Sequence, residues 1–333
     1  MTRRIAFVTG GAGFIGSNIV ARLAEDRTLD VVVCDRLHGT ELGKWRNIAK
    51  HPIGDFVAPE EMFDWLEKRW RDIEIVIHMA AVSSTTEPDA DKIVRSNFTL
   101  SRDLFRWCAD RQRRLIYASS AATYGDGGQG FDDDNGFEAL AGLRPLNTYG
   151  WSKAMFDLFA ARQASRDYAP PQWVGLKFFN VYGPNEEHKH AMKSVASQIW
   201  PKVRDSHAVQ LFKSYRADIP DGGQKRDFVY VRDCADVVEW LLQTPGANGV
   251  FNLGSGEARS FEDMARAVFT AAGKPPVIEY TPMPPAIRER YQYFTQAHME
   301  RLRAAGYERP FTPLEAGIGD YVTSFLSQPD PYR

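Results

Sequence analysis

Tyr149 and Lys153 lie four residues apart in a segment with helical spacing, which would place both side chains on one face of a helix. An ammonium group beside a phenol stabilises the phenolate, so this pair could exchange a proton with a hydroxyl group near neutral pH. Ser119 and Ser120 precede the pair by about thirty residues, at the end of an apolar run. If that run is a buried strand, the serines lie at the edge of a parallel sheet where ligands bind. A surface Tyr/Lys pair on an amphipathic helix is the alternative interpretation.

A glycine-rich turn follows the first short apolar run, residues 5–9, and opens a segment with helical spacing. Glycine permits a tight turn and the close approach of backbone N–H groups to a pyrophosphate, whose charge is stabilised at a helix N-terminus. A glycine-rich turn without a ligand is the alternative, but the predicted strand before it and helix after it favour dinucleotide binding. The residues expected to contact the dinucleotide are Gly10, Gly13, Phe14, Ile15 and Gly16.

Three charged residues after the second apolar run, 31–34, bear on which dinucleotide binds. Asp35 stands where a carboxylate would bind the adenosine ribose hydroxyls, which favours NAD. Arg36 and Lys44 supply cations that could bind a 2′-phosphate, which favours NADP. We expect NADP, with NAD as the alternative. Solvated loop charges with no ligand would be the simplest other explanation of Arg36 and Lys44.

Short apolar runs alternate with amphipathic segments over the first two-fifths of the chain. The runs have the composition of strands buried on both faces, and the segments between them have helical spacing. This pattern predicts repeated βαβ units and a parallel sheet. The predicted strands are 5–9, 31–34, 73–80 and 115–119, and the predicted helices are 17–25, 60–70 and 91–111.

The alternation weakens beyond about residue 184, where turn residues become denser. The predicted fold class is α/β: a Rossmann-type doubly wound parallel sheet with a smaller, interleaved C-terminal α/β lobe that binds substrate. We assign residues 1–183 to the dinucleotide-binding domain and 184–327 to the substrate-binding lobe, with the chain crossing back to the first domain near 225–256. Residues 328–333 are expected to form a frayed tail.

The overall composition excludes several classes of protein. The 333 residues include 41 basic and 43 acidic ones, so a formal net charge of −2 provides no field that would attract nucleic acid or an anionic membrane. The apolar runs are too short for a signal peptide or a membrane span. Three scattered cysteines have neither disulfide nor metal-ligand spacing, so we expect a cytoplasmic protein with no bound metal.

The glycine turn, the strand-end serines and the Tyr-x-x-x-Lys spacing occur in the order typical of the extended short-chain dehydrogenase/reductases, and the chain resembles that family from Ile5 to about Leu326. Within the family, the likeness is greatest to enzymes that epimerise an ADP-linked heptose. The runs that carry the resemblance are GGAGFIGSNIV at 10–20, HMAAVSSTTE at 78–87, YASSAATYG at 117–125, NTYGWSK at 147–153, FNVYGP at 179–184, KRDFVY at 225–230, FNLGSG at 251–256 and RYQYFTQ at 290–296.

The resemblance implies transient oxidation of C6″ of ADP-glycero-manno-heptose with bound NADP and reduction of the ketone from its other face. That activity would supply ADP-L-glycero-D-manno-heptose for the lipopolysaccharide core. Inversion needs an acid/base group on each side of the carbon. The resemblance gives these roles to Tyr149 and Lys189, with Ser120 hydrogen-bonded to the reacting oxygen and Lys153 holding the nicotinamide ribose. A phosphate-binding or solvent-facing role is the alternative for Lys189.

Further contacts follow only from the resemblance. Ala191 stands where the family usually has a serine, Gln198 where it usually has a histidine, and the loop 215–224 is longer than usual. We expect an ADP-heptose-type nucleotide sugar as the partner and a homo-oligomer of undefined size. The carried-over cofactor-binding residues are Ala80, Ala81, Ser83, Asn97, Lys153 and Val181, and the substrate-binding residues are Ser83, Asn180, Ala191, Gln198, Phe212, Arg226 and Tyr291.

Other functions remain open at this point. A UDP-hexose 4-epimerase, or another short-chain dehydrogenase that acts on a nucleotide sugar, would share the fold, the glycine turn and the Tyr/Lys pair. A 4,6-dehydratase fits less well, because Ala121 and Ala122 stand where those enzymes usually have an Asp-Glu pair. A non-catalytic dinucleotide-sensing or RNA-associated relative would usually lack the Tyr/Lys pair or have a basic face.

Overall fold

The computed structural model describes residues 4–37, 43–288 and 291–333. In these ranges the strands are β1 (Arg4–Thr9), β2 (Leu29–Cys34), β3 (Asp55–Val57), β4 (Ile73–His78), β5 (Arg114–Ser120), β6 (Trp173–Phe178), β7 (Asn180–Tyr182), β8 (Val209–Phe212), β9 (Lys225–Tyr230), β10 (Gly249–Leu253), β11 (Ala258–Ser260) and β12 (Ile278–Thr281). The α-helices are α1 (Phe14–Leu23), α2 (Met62–Arg69), α3 (Ala90–Ile93), α4 (Leu100–Asp110), α5 (Phe137–Gly142), α6 (Thr148–Ala164), α7 (Val195–Arg204), α8 (Val231–Gln243), α9 (Phe261–Ala271), α10 (Pro285–Arg288), α11 (Glu300–Ala304) and α12 (Leu314–Tyr321).

Seven parallel strands form the central sheet, in the order β10-β6-β5-β4-β1-β2-β3. The strand order reverses between β1 and β4, and open α/β sheets bind ligands in the crevice at such a reversal. The predicted α/β class and Rossmann-type doubly wound sheet are therefore confirmed.

Both faces of this sheet are covered. Along β1 the side chains alternate between two apolar cores, with Ala6 and Val8 in one and Ile5 and Phe7 in the other. All four are at most 1% exposed, which explains why the strand reads as a continuous apolar run.

The helix predicted at 17–25 is observed as α1, Phe14–Leu23, the predicted strands other than β4 shift by up to two residues, and the short strand β3 was not predicted. Three further differences are local. β4 ends at His78, two residues before the predicted end at Ala80, because Met79 and Ala80 form the loop beside the glycine turn. The predicted helix 60–70 begins as a 3₁₀ turn, Pro59–Glu61, and continues as α2. The predicted helix 91–111 contains a π-helical segment, Val94–Thr99, between α3 and α4.

The C-terminal half contains a second apolar core, formed by side chains of α7, α9 and α12 with β8 and β9. The antiparallel pair β9 and β11 and the parallel strand β7 form a three-stranded sheet, and β8 pairs with β12 in parallel. Between these elements the chain returns to the central sheet as β10, beside β6. Phe14 of α1 packs into the second core, so the first helix after the glycine turn contacts both parts.

The last residues were expected to be frayed, but they pack against the rest of the chain. Tyr332 is buried, and its carbonyl oxygen accepts a hydrogen bond of 2.6 Å from the Lys50 ammonium. The Arg333 backbone N–H donates to the Asn185 side chain at 2.9 Å. Separately, no helix within the described ranges has the length and apolar composition needed to cross a membrane.

Candidate active site

The glycine turn adopts a conformation that side chains would obstruct. Gly10 has φ +67°, and a Cβ atom there would lie 2.6 Å from the backbone nitrogen of Ala80. A Cβ atom on Gly16 would lie 2.1 Å from the carbonyl oxygen of Gly10. The turn leads into α1, whose first N–H groups lack partners within the helix and whose first residues line the adjacent cleft. These are the features of a pyrophosphate-binding turn.

A cleft of about 650 Å³ lies over this turn, at the carboxyl ends of the strands. Most of the residues expected to bind cofactor line it, and Tyr149, Lys153 and Lys189 line it as well. Within the described residues the lining consists of Thr9, Gly10, Gly13, Phe14, Ile15, Gly16, Cys34, Asp35, Arg36, Lys44, Pro59, Met62, Met79, Ala80, Ala81, Val82, Ser83, Ser84, Ser96, Leu100, Ala118, Ser119, Tyr149, Lys153, Phe178, His188, Lys189 and Met192.

Asp35 follows β2 and is held in place by three hydrogen bonds. Its carboxylate accepts from the backbone N–H of Ala12 at 2.9 Å and of Arg36 at 2.7 Å, and from the Lys44 ammonium at 2.5 Å. The Arg36 guanidinium is directed instead toward the Glu60 carboxylate. Of the two cations proposed from the sequence, Lys44 is therefore the one bound to Asp35.

Helix α6 presents Tyr149 and Lys153 to the cleft beside the end of β5. The Lys153 ammonium donates a 2.7 Å hydrogen bond to the carbonyl oxygen of Ala118. The Ser120 hydroxyl accepts the backbone N–H of Ala122 at 3.1 Å and also hydrogen-bonds the Tyr149 phenol.

Burial is the largest influence on the pKa values of Tyr149 and Lys153. It lowers the pKa of Lys153 to about 8, against the opposing effect of Asp157. It also raises the pKa of Tyr149, although the hydrogen bond from Ser120 acts in the other direction. The pKa of the phenol is therefore raised, and not lowered as the Tyr/Lys spacing suggested, because loss of solvent is its largest cause.

Lys189 enters the cleft from a 3₁₀ segment after β7, Glu187–Met192. Its ammonium lies 4.8 Å from the centroid of the Phe14 ring, in the first turn of α1. Burial lowers its pKa, opposed by the nearby Glu186 carboxylate. A lysine whose pKa is lowered this way can exchange protons more readily near neutral pH than an exposed one.

His188 connects the Lys189 segment to the glycine turn. The amide nitrogen of Asn47 lies 3.1 Å from the His188 Nδ1 atom and donates to the Ala12 carbonyl oxygen at 2.8 Å. Burial, aided by Lys44 and Lys189, lowers the pKa of His188 to about 4, so it is neutral at neutral pH.

Three of the residues expected to act in catalysis or to bind the cofactor stand outside the set that lines the cleft in the described chain. Asn97 is buried, and its amide group forms hydrogen bonds to the backbone N–H and C=O of Val82, at 2.8 and 3.0 Å. It therefore fixes the loop after β4. Val181 packs between the two large apolar cores, and Ser120 acts through its bond to Tyr149.

The expected substrate residues divide into two groups. Arg226, Tyr291 and Phe212 form one cluster, in which the Arg226 guanidinium lies 5.4 Å from the Tyr291 ring centroid and the two rings are 6.3 Å apart. Burial lowers the pKa of Arg226, so this cation has lost much of its solvent. A buried cation between aromatic rings is suited to an anionic ligand.

The second group is exposed and scattered. Asn180 and Ala191 are exposed, and the Gln198 amide donates to the backbone carbonyl oxygens of Ala191 and Lys193. Ser83 alone of the substrate residues lines the cleft. Arg290, in the run 290–296, lies outside the described residues.

The sequence interpretation missed several contributors to the site. Met79, Val82 and Met192 supply apolar walls, and nothing in their spacing indicated this. Asp157 and Lys177 were also missed, although a lysine inside the apolar run of β6 and an acidic residue four positions after Lys153 were available signals.

Comparison with known proteins places this site among nucleotide-sugar enzymes. Residues 6–254 match the NAD dependent epimerase/dehydratase family. Over 328 residues the chain is 47% identical to the ADP-L-glycero-D-manno-heptose-6-epimerase of Nitratidesulfovibrio vulgaris strain DP4, covering 98% of this chain and 99% of that protein.

Solved structures agree with this match. The fold is similar to that of Helicobacter pylori ADP-L-glycero-D-manno-heptose-6-epimerase, with a TM-score of 0.79, 28% identity, and coverage of 97% of this chain and 96% of that one. It is also similar to a Thermus thermophilus UDP-glucose 4-epimerase in complex with NAD, with a TM-score of 0.73, 29% identity, and coverage of 95% of this chain and 96% of that one.

Proposed function

The chain belongs to the NAD dependent epimerase/dehydratase family, and on that basis we propose that it inverts C6″ of an ADP-linked glycero-manno-heptose. The observation that carries the proposal is that Tyr149 and Lys189 reach one cleft from different elements, beside a dinucleotide-binding turn. An enzyme that inverts a carbon needs an acid/base group on each of its two sides, whereas a simple dehydrogenase needs only one.

The residues present fit a nicotinamide dinucleotide. Glycine at positions 10 and 16 permits the tight turn, because a Cβ atom at either position would overlap backbone atoms, and the start of α1 supplies N–H groups with no partner within the helix. Asp35 stands at the end of β2, where the adenosine ribose would lie. The family and the NAD-bound structural relative support the same cofactor class.

Within that class, the favoured cofactor is NADP. Lys44 and Arg36 place two cations at the expected ribose position, and the Lys44 ammonium is already bound to Asp35. A 2′-phosphate would take one or both of these cations from their carboxylate partners. NAD is the alternative, and it would leave Asp35 to bind both ribose hydroxyls.

When bound, the nicotinamide ring supplies a hydride acceptor and then a hydride donor, so C6″ is oxidised and reduced again with no net redox change. Tyr149 removes or returns the proton of the C6″ hydroxyl on one side, and Lys189 does so on the other. Ser120 holds the phenol by its hydrogen bond, and the Lys153 ammonium provides positive charge beside it.

Inversion also requires the substrate to present both sides of one carbon, so the nucleotide part must anchor it. Arg226, Tyr291 and Phe212 form the anchor, with Arg226 bound to the pyrophosphate and the rings packed on the nucleoside. Ser83, in the cleft, contacts the sugar. Asn180, Ala191 and Gln198 are proposed as peripheral contacts that close on the bound substrate.

The deciding experiment is incubation of the purified protein with ADP-D-glycero-D-manno-heptose, followed by chromatographic separation of the two C6″ epimers. Interconversion in both directions without added cofactor supports the proposal. Turnover of UDP-glucose, with no change in the heptose, would assign the chain to hexose 4-epimerisation instead.

A further inference from the structure

Three consecutive residues of β5 each bond a different residue of one face of α6. The Ala118 carbonyl oxygen accepts from Lys153, the Ser119 hydroxyl donates to Asp157 at 2.7 Å, and the Ser120 hydroxyl bonds Tyr149. Tyr149, Lys153 and Asp157 are spaced by four, which aligns them along the helix. β5 and α6 are therefore joined by three successive hydrogen bonds, and the bond to Asp157 is the one farthest along α6 from Tyr149.

The Asp157 side chain is completely buried, and both of its carboxylate oxygen atoms accept hydrogen bonds. Its Oδ1 atom accepts from the Tyr117 hydroxyl at 3.0 Å, and its Oδ2 atom accepts from Ser119 and from the Lys177 ammonium at 2.9 Å. Lys177 lies on β6 opposite Ser119, so both reach the same carboxylate oxygen. The ion pair has no exposed side-chain surface on either partner.

The Lys177 ammonium group also has several buried partners. Besides Asp157, its ammonium donates to the Thr123 hydroxyl at 2.7 Å and lies 4.8 Å from the centroid of the Tyr124 ring. The Thr123 hydroxyl in turn donates to the Ser120 carbonyl oxygen at 2.8 Å. Lys177 thus contacts α6 through Asp157 and the Ser120 turn through Thr123.

A need for stability alone does not account for this ion pair. Removing two charges from water costs several kcal/mol per ion, and apolar residues of similar volume often replace such pairs without loss of stability. The other side chains of β6 are apolar and buried, apart from the glycine at 175. The pair lies where it joins the two elements that carry Tyr149, Lys153 and Ser120.

We propose that the Asp157–Lys177 ion pair is a positioning device for the reaction, which fixes Tyr149 and Lys153 relative to Ser120 and sets the charge beneath them. The inference rests on the proposed role of Tyr149. Neither member of the pair lines the cleft in the described chain, so both act through other residues.

The electrostatic surroundings give this proposal a specific signature. The Asp157 carboxylate raises the pKa of both Tyr149 and Lys153. The other titratable groups close to them are His78 on β4, whose pKa burial lowers to about 3, and Tyr117, whose pKa burial raises. Both stay uncharged in the working range, so Asp157 and Lys177 are the charges that change when the pair is altered.

The central variant is Asp157→Asn, which keeps the side-chain shape and removes the negative charge. We expect kcat for epimerisation to fall about 10- to 100-fold, the scale for a misplaced reacting group, with KM and bound nucleotide near the parent values. The limb of the pH–rate profile governed by Tyr149 should move to lower pH, because the carboxylate that raises the pKa of the phenol is removed. The separate variant Lys177→Arg, which preserves the charge opposite Asp157, should retain most of the parent rate.

Asp233→Asn is the matched control. Asp233 is another buried aspartate outside the lining of the cleft, and its carboxylate accepts hydrogen bonds of 2.8 Å from the backbone N–H and the hydroxyl of Thr312. The Asp233→Asn variant should have a lower melting temperature than the parent and an unchanged pH–rate profile. If Asp157→Asn behaves in the same way, the pair is only structural and the proposal is overturned.

Two further variants separate the possible failures. If Asp157→Asn does not fold, the neutral double variant Asp157→Asn/Lys177→Gln replaces it, and parental kcat and pH profile there would overturn the proposal. Tyr149→Phe tests the proposed acid/base role of Tyr149, on which this inference rests. If Tyr149→Phe epimerises at the parent rate, the proposed function of Tyr149 fails, whereas loss in Tyr149→Phe with no effect of Asp157→Asn rejects the positioning role alone.

Discussion

The Lys189 ammonium lies over the ring of Phe14, 4.8 Å from its centroid, and so joins the segment after β7 to the first turn of α1. Phe14 also packs in the second core and lines the cleft. This contact holds a buried lysine at the same end of the sheet as Tyr149. It is the geometric basis for assigning two acid/base groups to one carbon.

Removing either acid/base group should stop epimerisation. Lys189→Met retains an apolar side chain against Phe14, and Tyr149→Phe retains the ring, so both variants should fold. Each should lose about 10²- to 10⁴-fold in rate, and the double variant should be little worse than the poorer single one, because groups that act as a unit are not additive. Epimer interconversion and bound nucleotide are measured for all three.

Lys193→Met provides the control for the lysine variant. Lys193 directly follows the Lys189 segment and pairs with Glu187 at 3.0 Å. Its removal should leave the rate within about twofold, as for a surface ion pair. Parental turnover in Lys189→Met would assign Lys189 to binding, and the second acid/base group would then be sought at His188 or His190.

The glycine turn should not tolerate a methyl group at position 16. A Cβ atom there would lie 2.1 Å from the Gly10 carbonyl oxygen, so Gly16→Ala must displace the turn from the pyrophosphate position. We expect loss of bound nucleotide, read as the ratio of absorbance at 260 to 280 nm. Gly246→Ala, where a Cβ atom has no neighbour within 4 Å among the described residues, should retain the nucleotide.

The cofactor released on denaturation should be NADP(H), identified by mass. Lys44→Ala should weaken NADP binding by about 1 to 3 kcal/mol, the scale of a charged hydrogen bond, and Arg36→Ala should have the smaller effect because Arg36 is directed toward Glu60. Lys68→Ala, an exposed lysine of α2, serves as the control. Recovery of NAD(H) alone would show that Asp35 decides cofactor choice.

Much of the fold could be predicted because its signals are local. Strands β1, β2, β4 and β5 are largely buried on both faces, so each reads as an apolar run, and the glycine turn lies directly between β1 and α1. The short edge strand β3 is mostly exposed and gave no such signal. Tyr149 and Lys153 share a helix, so their spacing alone places them together. Where a signal depended on one segment, the prediction was close to the structure.

The rest depends on contacts between distant segments. Lys177 reads as an anomaly in an apolar strand until the pairing of β5 with β6 places it opposite Ser119, within reach of Asp157. Asn97 resembled a ligand-binding residue, but its amide is occupied by the backbone of Val82, 15 residues earlier in the chain. Neither partner can be inferred without the strand order.

The last prediction concerns stability in acid, which His78 should control. His78 is buried between the hydroxyls of Thr9 and Ser101, at 2.6 and 2.9 Å. Because the Ser101 hydroxyl donates to the Asn97 carbonyl oxygen, it accepts from His78 Nε2, and the Thr9 hydroxyl donates to Nδ1. The imidazole is thus held in one neutral tautomer, and burial lowers its pKa from 6.5 to about 3.

The sign of the effect follows from proton uptake on unfolding. Between pH 6.5 and about 3 the unfolded chain binds a proton at His78 that the folded chain does not, so stability falls as the pH falls. The slope is about 1.4 kcal/mol per pH unit, or about 2 kcal/mol between pH 6.5 and 5. In urea unfolding at these two pH values, the stability advantage of the parent over His78→Gln should shrink by that amount. The exposed variant His207→Gln should show the parent's pH dependence, and an equal dependence in His78→Gln would mean that the acid sensitivity arises at another group, with His188 the next to test.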